Sequence, residues 1–312
     1  MINRHSIFYI FSLIIIILLS QQSDKNIRRF ALFGFVVLFI LLSSLLFFEY
    51  EVKGAKRWLK IYSFSFQPSE VIKPFFIILT SWGIAQSIQG RKYFLSVTFT
   101  LFILLITFVL MQPDLGMTIL IASTFFCQLF IAGLPILLVV YGLFLIFLVS
   151  IFAYFFLDHV KNRIESFLGN ADTYQIDLSL LAFKSGGILG KGPGQGDLKE
   201  KIPDANTDFI FAVAGEELGL IFCLIILFII LSIIIKTLLK VLKVSNPYKI
   251  VAISGLTCSF GLQSLINILS ALGMIPTKGM TLPFVSYGGS SMLATSILFG
   301  FLLSLTNLNN NE

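Results

Sequence analysis

Carboxylates and amines are scarce in this chain, and where they interrupt apolar stretches their types and spacing suggest proton transfer and anion binding. An ionisable group at bilayer depth is costly unless it is paired or lines a wet cavity, which makes each a functional candidate. In Gln67-Pro68-Ser69-Glu70-Val71-Ile72-Lys73, Pro68 suits a helix start, and Glu70 and Lys73, three apart, share a helix face. A cap with a structural ion pair explains that segment equally well. In Gln112-Pro113-Asp114-Leu115-Gly116 an acid stands where a helix would begin, and a plain N-cap accounts for Asp114 as well as a cavity role does. Asn206-Thr207-Asp208 leads into an apolar helix that carries Glu216 and Glu217. Thr207 and Asp208 could merely cap it. At about 1.5 Å per residue, however, Glu216 would lie roughly 12 Å deeper than Asp208, beyond the reach of capping. Pro276-Thr277-Lys278-Gly279 and then Pro283-Phe284-Val285-Ser286-Tyr287-Gly288-Gly289-Ser290-Ser291 form a hydroxyl- and glycine-rich entry into the last apolar stretch. Small residues there could equally permit close helix packing.

The elements that must position these residues are membrane helices. Of 312 residues, 57% are hydrophobic and 12% charged, with 34 Phe and a mean hydropathy of +0.94. Soluble domains average about 45–50% and about 25%, so a soluble enzyme is excluded. Apolar stretches of spanning length cover 30–48, 71–88, 94–110, 116–132, 135–157, 209–235, 250–273 and 284–305, and a shorter one covers 7–19. Arg4 and His5 before that short core resemble a signal peptide, but Ser20-Gln21-Gln22 offers no small-x-small cleavage site, so 7–19 is read as a helix. No series of alternating strands is present to build a barrel. The expected fold is therefore all-α, a polytopic membrane helical bundle of about nine transmembrane helices in one domain over 1–312.

Alternate connections differ in charge. One set holds Lys25, Arg28, Arg29, Arg91, Lys92, Lys236, Lys240, Lys243 and Lys249 against only Asp24 and Glu312, and the positive-inside bias makes it cytoplasmic. The other set, 49–69, 111–115, 158–206 and 274–283, faces outward. The connection at 158–206 is far longer than a usual loop, which marks it as functional or disordered. Its run Gly186-Gly187-Ile188-Leu189-Gly190-Lys191-Gly192-Pro193-Gly194-Gln195-Gly196 lacks GxxxxGK[ST] and GxGxxG spacing and follows no strand, so no nucleotide site is read from it. Cys127, Cys223 and Cys258 lie in apolar runs without metal spacing. The net charge of +6 forms no basic, aromatic-interleaved patch, and nucleic acid is not an expected partner.

Taken in order, GAKRW at 54–58, FSFQPSE at 64–70, QPDLG at 112–116, SGGILGKGPGQG at 185–196, NTDFIFAVAGEELG at 206–219 and PTKGMTLPFVSYGGSS at 276–291 resemble the SEDS family (shape, elongation, division and sporulation), the polytopic peptidoglycan polymerases of bacteria. Lys278 in PTKG and the FSF before QPSE resemble its division branch, FtsW, more than its elongation branch, RodA. Two departures stand out. Family members usually have ten helices, and the expectation is that this chain starts at the second, with its N-terminus outside. The usual His-Thr-Asp reads Asn206-Thr207-Asp208, so a role needing imidazole there is lost while the Asp is retained.

The resemblance implies glycan polymerisation from lipid II on the outer face of the bacterial plasma membrane during cell division, with undecaprenyl diphosphate as leaving group. It implies Asp208 as the catalytic residue, and Arg57, Gln67, Ser69, Glu70, Lys73, Asp114, Glu216, Lys278, Ser286 and Ser290 as substrate-binding. A divalent cation, Mg or Mn, could share the diphosphate charge, although no metal-spacing motif is present. Implied partners are lipid II, a class B penicillin-binding transpeptidase and other division membrane proteins. The alternatives are a flippase or transporter for a lipid-linked precursor, since polar helix ends also mark substrate pathways, and a non-catalytic scaffold.

Overall fold

The computed structural model describes residues 2–46, 57–61, 64–112, 114–134, scattered positions between 137 and 165, 173–276 and 279–307. Its elements are α1 (Ile2–Ser20), α2 (Asp24–Ser44), the strands β1 (Leu59–Ile61) and β2 (Phe64–Phe66), α3 (Pro68–Ile88), α4 (Tyr93–Met111), α5 (Leu115–Ile131), α6 (Thr173–Gly186), α7 (Ile210–Val241), α8 (Pro247–Ala271) and α9 (Gly289–Thr306). Six of these helices, α2, α3, α4, α7, α8 and α9, are long and apolar enough to cross a membrane, and α1 and α5 are shorter apolar helices. The chain is a multi-pass helical membrane protein. Eight of the expected spans correspond to these helices; 135–157 lies mostly outside the described residues.

Two features depart from the expectation. A small antiparallel hairpin pairs Leu59 with Phe66 and Ile61 with Phe64, leading directly into α3. The connection at 158–206, expected as a functional or disordered loop, contains α6, a 14-residue helix.

Contacts divide the chain into two compact units, one of 1–149, 236–259 and 289–312 and the other of 150–235 and 260–288. In the first, α3 is the hub, packed against α2, α4, α5 and α9, while α1 packs along α9. Phe30, Phe75 and Phe301, from α2, α3 and α9, meet edge to face at centroid distances of 5.5, 6.2 and 5.7 Å. α4 keeps most of its apolar side chains on the outside, as a lipid-facing helix does.

The first unit also sorts its connections as the charge pattern requires. Lys249 Nζ lies 3.3 Å from Asp24 Oδ2, the Arg28 guanidinium sits 5.1 Å above the Tyr248 ring, and Ser304 Oγ donates to the Gln22 carbonyl at 2.6 Å. The basic α1–α2 connection, the start of α8 and the end of α9 thus gather at one end. At the start of α3, Arg57, Gln67, Gln112 and Asp114, all from the mixed-charge connections, meet one another instead.

In the second unit, α6 packs on the end of α8 through a 2.6 Å hydrogen bond from Ser179 Oγ to the Ala271 carbonyl. Its core gathers Ala182, Ile202, Ala205, Phe209, Phe211, Ala212, Ala271 and Leu282. Ile202, Ala205 and Phe209 in that core fix the turn that carries Asp208.

Candidate active site

The acid at the head of α5 is both a cap and a member of a cluster. Asp114 Oδ1 accepts from the Met117 N–H at 3.2 Å, while Oδ2 accepts from Gln67 Nε2 at 3.3 Å and Arg57 Nη1 stands 3.7 Å from Oδ1. Arg57 Nε also donates to the Gln112 carbonyl at 3.1 Å, and Gln67 Nε2 to Ser69 Oγ at 3.2 Å. Pro68 starts α3 at its first turn, so Glu70 and Lys73 project from that turn and the next; both are 4% exposed, and Lys73 lies within electrostatic reach of Glu70 and Asp114. Pro74 has no N–H to return to the Glu70 carbonyl, which loosens the helix at its charged turn. One guanidinium, one ammonium and two carboxylates are thus held together in the first unit. Ser290 is buried in the first turn of α9, a helix that packs on α3 and β2 in the same unit.

Asp208 belongs to the second unit and is not part of α7, whose first bonds run to the Phe209 carbonyl from Ala212 and Val213. It closes a turn in which the Thr207 and Asp208 N–H groups both donate to Asp204 O at 3.0 Å. Three successive carbonyls of this turn are strapped from elsewhere. Tyr287 N–H donates to Asn206 O at 2.8 Å, Ser286 Oγ to Thr207 O at 2.5 Å, and Asn267 Nδ2 to Asp208 O at 2.9 Å. Ser286 Oγ in turn accepts from Leu282 N–H at 2.8 Å. Gly279, at φ +63°, brings bare backbone up to the carboxylate, where a Cβ would stand 3.5 Å from Asp208 Oδ2. Among the described residues the only non-glycine positive φ values are at Asp204 (56°) and Phe284 (62°), one on each side of this strapping. Strained backbone persists where surrounding structure over-determines it, as at functional sites.

The relation of Glu216 and Glu217 to their helix differs from the expected continuous run. α7 is broken at Gly219, with φ 79° and ψ 179°, and the glycine-rich segment fills the break. Lys191 and Gly192 N–H donate to the Glu216 and Glu217 carbonyls at 3.0 and 2.9 Å, and the Gly187 and Ile188 carbonyls accept from Leu220 and Ile221 N–H at 3.0 and 3.3 Å. Backbone groups freed by a break inside a membrane protein must find partners within the protein, and here the chain's own loop supplies them. A Cβ on Gly219 would meet Gly190 N at 2.4 Å, so the two segments interlock only through glycines.

Glu216, fully buried, spends its carboxylate on this loop. Its oxygens accept from Lys191 Nζ at 3.0 Å and from the Asp197 and Leu198 N–H groups at 3.1 Å each. Glu217 accepts from Gly194 N–H and Lys199 Nζ, both at 2.8 Å. Neither acid acts as a helix cap, as their depth implied. Glu216→Gln is expected to loosen the Asp197–Leu198 turn, forfeiting about 1.5–3 kcal/mol for each charge-assisted bond lost. Faster amide exchange at Asp197 and Leu198 with α7 still protected is the check.

Lys191 is held above its ordinary amine value by its hydrogen bonds to Glu216 and Asp197, and Asp197 is held below its ordinary carboxyl value by Lys191. The raised amine supports the loop fully below its ordinary value and loses that support as pH rises through the higher folded one. The lowered carboxyl supports it above its ordinary value and fails as pH falls through the lower folded one. Protection of 194–198 should therefore stay flat between about pH 5 and about pH 9.

Against this geometry, a family model described as "Cell cycle protein", covering FtsW, RodA and SpoVE, matches residues 1–311. The chain belongs to the SEDS family. It is 40% identical over 97% of its length to the "Probable peptidoglycan glycosyltransferase FtsW" of Caulobacter vibrioides, covering 78% of that protein. It is 33% identical over 97% of its length to the protein of the same name from Borreliella burgdorferi, covering 86% of it. The division-branch resemblance seen in the motifs agrees with these relatives. In fold it is similar to a chain of a peptidoglycan synthase complex, with a TM-score of 0.82 and 24% identity over 99% of this chain and 90% of the other. It is also similar to the rod shape determining protein RodA of Thermus thermophilus, with a TM-score of 0.73 and 24% identity over 99% and 88%.

For this SEDS chain, then, Arg57, Gln67, Ser69 and Asp114 are joined in the first unit beside Glu70 and Lys73, and Asp208 and Ser286 are joined in the second. Glu216 serves the glycine-rich segment, and Lys278 lies outside the described residues. Asn267, Lys191 and Lys199 were not singled out from the sequence. An amide in the apolar run 250–273 was the available signal for Asn267, and the lysines looked like ordinary loop charges.

Proposed function

We infer that this SEDS chain is a peptidoglycan glycosyltransferase of cell division, polymerising lipid II into glycan strands and releasing undecaprenyl diphosphate. The observation that carries this reading is the strapped turn of Asp208. A sugar hydroxyl is a poor nucleophile near neutral pH, and a positioned carboxylate that takes its proton contributes about 10²–10⁴-fold. As the hydroxyl oxygen bonds to the anomeric carbon of the lipid-linked sugar, its proton passes to Asp208. The bond from that carbon to the diphosphate oxygen breaks, and the diphosphate departs with the electron pair. Arg57, Lys73 and Lys278 are assigned to diphosphate charge, the guanidinium being suited to bidentate phosphate contact. Gln67, Ser69, Glu70, Asp114, Ser286 and Ser290 are assigned to holding substrate, and Glu216 to shaping the glycine-rich segment that its carboxylate holds.

Among the described residues no three His, Cys, Asp or Glu side chains converge as a metal-binding group; a Mg or Mn ion would instead be held by one or two carboxylates together with the substrate diphosphate, whose charge it would share. A broken helix is also a transporter feature, in which unwound backbone lines a substrate path. Here the break is filled by the chain's own glycine-rich segment, which favours the polymerase. Purified protein should convert lipid II to glycan strands and free undecaprenyl diphosphate. A folded preparation that leaves lipid II intact would overturn the reading.

The location that supports this chemistry is the plasma membrane of a bacterium, with Asp208 and the glycine-rich segment on the extracytoplasmic side and a class B transpeptidase and other division proteins alongside. The positive-inside charge pattern supports that orientation. With Cys127, Cys223 and Cys258 replaced, a cysteine at Gln195 should react with a membrane-impermeant thiol reagent in intact cells, and one at Lys243 should not. The opposite pattern would invert the protein and leave the chemistry without a substrate on its side.

A further inference from the structure

Asn267 lies on α8, 59 positions from Asp208 in sequence, and is 1% exposed. Its Nδ2 spends both protons on main-chain carbonyls, Asp208 O at 2.9 Å and Met280 O at 2.6 Å. Its Oδ1 is buried with no hydrogen-bond partner. Turning the amide over would satisfy nothing, because it would set an oxygen against two carbonyl oxygens. The orientation is therefore forced, and it is kept despite a stranded acceptor, which in a native core calls for an explanation.

The two carbonyls it joins supply one. Met280 follows Gly279, the residue whose bare backbone approaches Asp208 Oδ2, and Asp208 O belongs to the residue that carries that carboxylate. A single side chain thus sets the spacing between the turn bearing the carboxylate and the segment facing it. The other two straps, from Ser286 and Tyr287, hold the turn from the far end of that same segment and fix its Asn206 and Thr207 carbonyls.

We propose that Asn267 is a positioning residue for glycan polymerisation, holding Asp208 in register with the Gly279–Met280 backbone so that its carboxylate meets the attacking hydroxyl. The proposal rests on Asp208 being the proton acceptor. Misplacement of a catalytic group by about 1 Å costs about 10²-fold in rate, and that is the effect expected when both straps from Asn267 are lost.

The test uses the full-length purified protein and lipid II, with Asn267→Asp, which removes both donors at nearly constant volume, and Asn267→Ala, which also removes volume. Both should lower kcat by about 10²-fold at unchanged KM for lipid II. Amide exchange at Thr207 and Asp208 should quicken while α8 stays protected. If the residue served packing alone, Asn267→Asp would be the milder change, and a folded Asn267→Asp with normal kcat overturns the proposal. Should neither variant fold, Asn267→Ser, a shorter polar side chain that cannot make both straps, must lower kcat at constant KM; normal kcat in that folded variant overturns the proposal as well. Asp208→Asn run in parallel separates the two readings. If it polymerises normally, the assignment of Asp208 fails. If it is inactive while folded Asn267→Asp is fully active, only the positioning role fails.

Discussion

Asp208→Asn should abolish lipid II polymerisation while leaving the amount of folded protein nearly unchanged. The substitution keeps the shape of the side chain and one acceptor oxygen. It removes the ability to accept a proton, for which the expected loss is about 10²–10⁴-fold. The three straps on this turn run to main-chain carbonyls of Asn206, Thr207 and Asp208, so the change of side chain leaves them in place. If Asp208 served only the local turn, Asn would do as well, since the two residues serve caps and turns about equally. Glycan product on a gel, with folded protein followed by monodisperse elution in detergent, decides between them. Wild-type product yield from Asp208→Asn would end its assignment as the proton acceptor.

The second large effect is expected in the first unit. Lys73 is 4% exposed among Glu70 and Asp114, so Lys73→Met takes one ammonium from beside two buried carboxylates, of which Asp114 keeps Arg57. Removing one member of a buried pair typically costs about 3–5 kcal/mol, whereas replacing both members is often far less harmful. Lys73→Met and Glu70→Gln should each lower the thermal midpoint in detergent, and the double variant should recover much of the loss. Strict additivity in that cycle would mean the two side chains do not interact. Lipid II turnover need not recover with stability, because Lys73 is also assigned to the departing diphosphate.

Much of this was legible in the residues. The lengths of the apolar runs dictated a helical membrane bundle, because a backbone in hydrocarbon must satisfy its own polar groups. The charge asymmetry of alternate connections sorted them into two sets, and Asp24, Arg28, Tyr248 and Lys249 do meet at one end of the first unit. Asp114 shows the limit of such reading. Cap and cluster looked like rival explanations, but a carboxylate has two oxygens, and here one faces Met117 while the other faces Gln67.

The sequence by itself determined the solvent, the number and rough bounds of most helices, and which acid stands at the head of α7, because each depends on local composition and spacing. Only the tertiary structure decided what the acids and amides face. Glu216 would read the same in a helix facing lipid, a wet cavity or a loop, and the return of the glycine-rich segment to the break at Gly219 assigns it to Lys191 and Leu198. Asn267 and Ser286 reach the Asp208 turn across 59 and 79 positions of chain. Periodicity reports which residues share a face of one helix; it carries no information about which distant strand that face will meet, and that choice belongs to packing.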